Sequence, residues 1–287
     1  MQTSDGLHYF AQEAETAETN RPPVILIHGA GGSCLSWPPQ LRRLSGETIY
    51  ALDLPGHGQS QGAGRQSISA YADDVAQFMQ SLKIRSAVIV GISMGSAIAL
   101  TLALNYPKKV KGLGLLGGGA KMRVASSILD TAGNPNTFES AVDSINTNCF
   151  SESTPQNIIQ LSKQNMLKIR PPVLLGDFLA CNEFDVAGQL KKVNPPTLII
   201  CGAEDKMTPP KFSESLRDGI TKSRLHVLDQ AGHMVMLEKP DQVASILKQF
   251  LDGLPVRKKP AKTLFPADRA PDSTQMMESS PLTLNSK

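Results

Sequence analysis

No stretch of the 287 residues approaches the roughly 18 consecutive apolar residues that a membrane span requires. The first twenty residues lack a basic flank and an apolar run, and they carry Glu13, Glu15 and Glu18, so no secretory leader is expected there. Cysteine is scarce. Cys34, Cys149, Cys181 and Cys201 are scattered, with no C-x-x-C pair and no histidine at metal-ligand spacing, which leaves no expected metal site. Reduced thiols fit a cytoplasmic protein, and Cys201, at the end of a strand-like run, reads as a small buried hydrophobe. Excess charge is also small. The formal net charge is +3, and between positions 254 and 287 six basic residues face three acidic ones, so the tail carries the whole excess. A near-neutral body offers no basic face to nucleic acid. Neither G-x-G-x-x-G nor G-x-x-x-x-G-K occurs in the glycine-rich stretch after position 28, so neither a dinucleotide nor a phosphate loop is expected, and no cofactor is implied.

What is present is a 40% hydrophobic chain, enough for a sizeable core, with apolar runs of strand length alternating with helical patterns. Val24 to Ile27, Thr48 to Leu52, Ala87 to Val90, Val110 to Leu116, Thr197 to Cys201 and Leu225 to Leu228 read as strands buried on both faces. Between them, Pro38 to Leu44, Ser67 to Leu82, Gly95 to Tyr106, Pro209 to Arg217 and Asp241 to Leu251 read as helices. In the second of these, Ile68, Tyr71, Val75, Phe78, Met79 and Leu82 mark one face, with Ser67 or Ser69 as its cap. Strand alternating with helix predicts an α/β fold, a mostly parallel doubly wound sheet covered on both faces. The alternation breaks from Ala120 to Gln189, where a polar Ser-Thr-Asn region and helical stretches such as Asn157 to Ile169 replace strands. The expected organisation is a core of residues 1–119 and 190–253, an inserted helical cap over 120–189, and a disordered proline-broken tail over 254–287.

Gly91-Ile92-Ser93-Met94-Gly95 fits G-x-S-x-G between a predicted strand and a predicted helix. A tight strand-to-helix turn strains the serine backbone, and glycine two residues away on either side relieves the clash. Ser93 is the candidate nucleophile. A serine hydroxyl needs a base, and the base needs a third group to fix its tautomer. Of the five histidines, His233 follows the last predicted strand, at the carboxyl edge of the sheet where ligands meet such folds, whereas His226 lies inside that strand. Asp205 follows the strand ending at Cys201, with Glu204 and, more weakly, Asp229 as rivals. The order Ser93, Asp205, His233 is the chain order of triads in this kind of sheet. After the first buried strand, His28-Gly29-Ala30-Gly31-Gly32 can aim a backbone N–H at the same edge. The amides of Ala30 and Met94 are the candidate oxyanion donors.

His28-Gly29, Asp53-Leu54-Pro55-Gly56-His57-Gly58, Gly91 to Gly95, Gly202-Ala203-Glu204-Asp205 and Ala231-Gly232-His233 together resemble the α/β-hydrolase superfamily, in its cap-bearing esterase-like branch, over roughly Leu7 to Leu251. The resemblance implies an eight-stranded sheet with a helical cap after the sixth strand, a site between cap and sheet, and a structural role for the Asp53 to Gly58 turn, His57 included. It also relates Cys181 to Asp185, at the close of the cap, to a packing stretch. The implied activity is hydrolysis of a carboxylic ester or related acyl bond through an acyl-enzyme at Ser93, on a small-molecule acyl substrate. Serine at 93 argues against the dehalogenase and epoxide hydrolase branches, whose nucleophile is an aspartate. Ile92 and Ser96 weaken the carbon–carbon bond hydrolase reading, and Ile92 and Met94 do not match the proline aminopeptidases. Acyl transfer by the same triad and a non-catalytic ligand-binding or scaffold role remain the alternatives. Leu35 and Trp37 are the candidate pocket residues. Phe138, Phe150, Met166, Leu167, Leu174, Leu175 and Phe178 are expected mainly to pack the cap itself.

Overall fold

A computed structural model of the chain describes residues 1, 3, 6–14 and 21–255. In chain order the regular elements are β1 (Tyr9–Gln12), β2 (Val24–Ile27), α1 (Pro39–Arg42), β3 (Ile49–Leu52), α2 (Ile68–Ser81), β4 (Ala87–Ile92), α3 (Met94–Asn105) and β5 (Val110–Leu116). They continue with α4 (Ser126–Thr131), α5 (Phe138–Cys149), α6 (Gln156–Met166), α7 (Pro171–Glu183), β6 (Thr197–Gly202), α8 (Pro210–Gly219), β7 (Ser223–Leu228), α9 (Val235–Glu238) and α10 (Pro240–Asp252). The strands form a seven-stranded sheet in the order β1-β3-β2-β4-β5-β6-β7. Only β1 is antiparallel, paired with β3 from Tyr9↔Leu52 to Gln12↔Ile49.

The continuous apolar runs occupy the middle of this sheet because both of its faces are covered. β2 and β4 are buried at every position. On one face α2 and α3 close a core that includes Tyr71, Val75, Phe78, Ile98 and Leu100. On the other, α1, α9 and α10 close a second one around Leu26, Leu41, Val90, Val243 and Leu247. Each such side chain, fully buried, contributes about 1.5–3 kcal/mol before chain entropy is counted. Helix α2 starts where its cap dictates: Ser67 is extended and its hydroxyl accepts the Ala70 amide at 3.2 Å.

Seven strands stand among the described residues where the resemblance implied eight. Ahead of β1, Met1 and Tyr9 exchange two backbone bonds of 2.9 Å, and Thr3 bonds Leu7. The connection between β5 and β6 therefore follows the fifth strand. It holds α4 to α7, with a single antiparallel bridge, Lys121↔Asp185, where it leaves and rejoins the sheet. The polar Ser-Thr-Asn region is helix α5, whose Phe138, Ala141, Val142, Ile145 and Cys149 bury one face in a cluster shared with Val173, Leu174 and Phe178 of α7. No described helix is long and apolar enough to cross a membrane. The tail expected from 254 lies, from residue 256 on, outside the described residues.

Candidate active site

β4 runs straight into α3, and Ser93 is the residue between them. Its φ of 55° and ψ of −118° lie where a non-glycine residue is strained, a cost of order 1–3 kcal/mol. The flanking glycines are what make the turn sterically open. A Cβ on Gly91 would sit 2.1 Å from the carbonyl carbon and oxygen of Gly95, and one on Gly95 would sit 2.2 Å from the carbonyl oxygen of Ile27. Ser93 N–H donates to the Leu116 carbonyl at 2.9 Å, which pins the turn to β5. The Met94 side chain is fully buried, and its amide opens α3.

Asp205 and His233 come from the loops after β6 and β7. The loops meet because Gly202 has no side chain: a Cβ there would lie 2.2 Å from the carbonyls of Ala231 and Gly232. His233 Nδ1 is 2.9 Å from Asp205 Oδ2, and both residues are buried. The other carboxylate oxygen, Oδ1, accepts the amides of Met207 at 2.9 Å and Thr208 at 2.8 Å. The Thr208 hydroxyl donates to Oδ2 at 2.9 Å and lies 3.2 Å from His233 Nδ1. Burial alone would raise the Asp205 carboxyl. The neighbouring His233, its bond and the Thr208 donors outweigh that and hold the carboxyl below its ordinary value. With Nδ1–H donated to a carboxylate, Nε2 of His233 is left to accept a proton. The rivals do not share this position, since Glu204 and Asp229 are both exposed.

Ser93, His233 and Ala30 line one cavity of about 440 Å³. Its walls are mostly apolar, with Ile145, Ile158, Met166, Phe178, Met207 and Leu237 among them. Leu35 lines it and is 61% exposed at the rim, as is Leu161 of α6 at 58%. Trp37 does not line it. A short 3-10 turn over Cys34–Ser36, capped by Ser33, points Leu35 outward and sends Trp37 beneath the sheet. There Trp37 is 0% exposed among Leu26, Leu41 and Val90, and its indole N–H has no partner among the described residues. Sequence periodicity could not separate two residues only two positions apart. Of the residues expected mainly to pack the cap, Met166 and Phe178 reach the cavity, while Phe138, Phe150 and Leu174 pack among the helices.

The glycine-rich turn after β2 is held from several sides. His28 Nε2 accepts the Leu54 amide at 3.1 Å, so the ring proton sits on Nδ1 and goes to the Gly29 carbonyl at 2.8 Å. Burial and the neighbouring His57 pull His28 down to about 4, which keeps it neutral. The amides of Ala30 and Met94 have no protein acceptor among the described residues. In the next turn, Asp53 accepts the amides of Cys34 at 2.6 Å and Gln59 at 2.9 Å and meets His8 Nδ1 at 2.8 Å. His8, Cys34 and Asp53 are metal-ligand types in one cluster, yet both Asp53 oxygens are already engaged, and burial pushes the Cys34 thiol up to about 12, away from the thiolate a metal needs.

A strained serine between β4 and α3, an Asp–His pair after β6 and β7, and a glycine-rich turn after β2, all at the carboxyl edge of a parallel sheet, define an α/β-hydrolase. Residues 22–240 match the family model described as the alpha/beta hydrolase fold, and the chain belongs to that family. It is 28% identical over 244 residues to the pimeloyl-[acyl-carrier protein] methyl ester esterase of Neisseria meningitidis serogroup C, covering 80% of this chain and 94% of that one. It is 25% identical over 241 residues to 3-oxoadipate enol-lactonase 1 of Acinetobacter baylyi, covering 82% and 90%. Among solved structures, a thermophilic esterase matches with a TM-score of 0.75 at 32% identity, over 87% of this chain and 95% of that one.

Proposed function

We propose that this protein is a serine hydrolase that cleaves a carboxylic ester through an acyl-enzyme at Ser93. The observation that carries the reading is the meeting, in one cavity, of a strained serine and a histidine whose Nδ1 is fixed by a buried carboxylate. His233 Nε2 takes the Ser93 proton as Oγ adds to the ester carbonyl. The oxyanion that forms accepts the amides of Ala30 and Met94, at the N-terminus of α3, where the helix field favours negative charge. The C–O bond to the alcohol then breaks, the alcohol leaving with the proton from His233. Water adds to the acyl-enzyme by the same route, giving up its proton to His233, and the acid leaves as Ser93 regains its hydrogen. Asp205 stays ionised throughout and stabilises the imidazolium. The relatives named for a methyl ester and an enol-lactone support assigning an acyl C–O bond here.

The β5–β6 connection, residues 120–189, is read as a cap over the sheet. Its Met166 and Phe178, with Leu35 opposite, suit a neutral apolar acyl group. The four free, buried cysteines suit a reducing compartment, and the cytoplasm is the assigned location. Ser93→Ala tests the reading on a short p-nitrophenyl ester: turnover should fall by at least about a thousandfold with the fold intact. Turnover at the wild-type rate would remove the assignment.

A further inference from the structure

Helix α7 is apolar along its buried side except for Asp177, which is 0% exposed. Three donors reach this one carboxylate from three parts of the sheet domain. Oδ2 accepts the Gly31 amide at 2.8 Å and meets His57 Nε2 at 2.8 Å. Oδ1 accepts the Tyr71 hydroxyl at 2.6 Å, and that hydroxyl itself accepts the Arg65 amide at 2.9 Å. Gly31 directly follows Ala30 and adopts a φ of +63°. A Cβ at Gly31 would come within 2.7 Å of Leu174 Cδ1, so α7 lies directly on the turn.

The protonation of His57 follows from its partners. Nε2 faces a carboxylate whose oxygens already accept two other donors, and Nδ1 lies 3.1 Å from the Pro55 carbonyl, which can only accept. Both ring nitrogens therefore carry hydrogen, and the ring is an imidazolium. His28, with ring centroids 4.8 Å away, is its opposite, a neutral ring with a single proton. We propose that Asp177 and the His57 imidazolium are positioning residues for the Gly29–Gly32 turn, so that helix α7 sets the place of the Ala30 amide. The inference rests on the reading of Ala30 as an oxyanion donor. A fully buried ion pair is weak evidence for stability, because desolvation of both charges opposes their attraction. Its value here is geometric: an apolar pair of equal volume would fill the space but leave the Gly31 amide free to turn. Burial would lower the His57 value, but the charge and bond of Asp177, the Pro55 carbonyl and Asp53 nearby raise it above its ordinary value.

The test is made on the full-length protein. ¹⁵N spectra of the histidine rings near pH 7 should show both His57 nitrogens in the imidazolium range, with His28 a neutral tautomer. Asp53, Asp177, Tyr71 and His28 are the titratable groups around the ring. Asp177→Asn should lower kcat by about tenfold to a hundredfold, the scale of a misplaced catalytic group, with KM within about twofold. His57→Gln, which keeps a donor to Asp177 but no charge, should lower kcat by less than Asp177→Asn does. A neutral His57 near pH 7 overturns the proposal even where Asp177→Asn does not fold. Wild-type kcat in a folded Asp177→Asn also overturns it, and if Ser93→Ala is inactive in the same assay, the serine hydrolase reading stands without it.

Discussion

Thr208→Val removes one hydroxyl from the site and leaves its volume nearly unchanged. In the native protein that hydroxyl donates to Asp205 Oδ2 at 2.9 Å and lies 3.2 Å from His233 Nδ1. A hydrogen bond to a charged group contributes about 1.5–3 kcal/mol. The backbone amides of Met207 and Thr208 keep their bonds to Oδ1, so the carboxylate is loosened on one side only. If about half of the bond's worth is lost from the transition state, where the imidazolium leans on Asp205, kcat falls by about threefold to tenfold. That is far less than Asp205→Asn, for which the serine protease template gives a loss of about 10⁴. A second readout follows from linkage. The carboxyl of Asp205 lies below its ordinary value, so its contribution to stability is complete above about pH 3.9 and is lost as pH falls through the folded value. Without the hydroxyl that folded value rises, less stability remains, and the acid unfolding midpoint moves up in pH. The assays are steady-state kinetics on p-nitrophenyl butyrate and acid titration of circular dichroism. A wild-type kcat together with an unmoved midpoint would refute this account of how Asp205 is held.

Trp37→Phe should leave kcat and KM unchanged, because the side chain packs beneath the sheet and does not line the cavity. Its effect on stability, read by urea titration, should be a loss of about 1–3 kcal/mol, since the smaller ring leaves a cavity in the core although the indole N–H that it removes has no partner. A changed acyl-length preference would return Trp37 to the pocket. Leu161→Ser at the rim should raise KM for a hexanoate ester several-fold more than for an acetate ester. Being exposed, it should leave the thermal midpoint unmoved. Equal effects on both esters would remove Leu161 from the acyl path.

Much of the fold was legible because a doubly wound sheet writes strong local signals. Val24 to Ile27 is a strand of four apolar residues that ends at the functional turn, and both helices α2 and α10 show their buried face at helical spacing. The first strand was faint because β1 sits on the edge with only Tyr9 buried, so its sequence carries little of the apolar run that marks the middle of the sheet. At the site, Ser93 was legible because the turn needs glycine at 91 and 95. Thr208 was not, since a threonine three residues after an aspartate is common in turns, and only the meeting of two loops shows what it touches. Asp177 did leave a signal: it is a single carboxylate in an apolar helix face, between Gly176 and Phe178. A burial reading of that face would have asked for its partners. Trp37 was misplaced because direction reverses across the Cys34–Ser36 turn, a property of the backbone that residue type does not report.

The central claim is that Ser93 becomes covalently acylated. The direct measurement is mass spectrometry of the intact protein after treatment with a fluorophosphonate, followed by peptide mapping. One adduct per chain, located on Ser93 and absent from Ser93→Ala, is expected. An unmodified protein at saturating probe, or an adduct mapped to another residue, would contradict it.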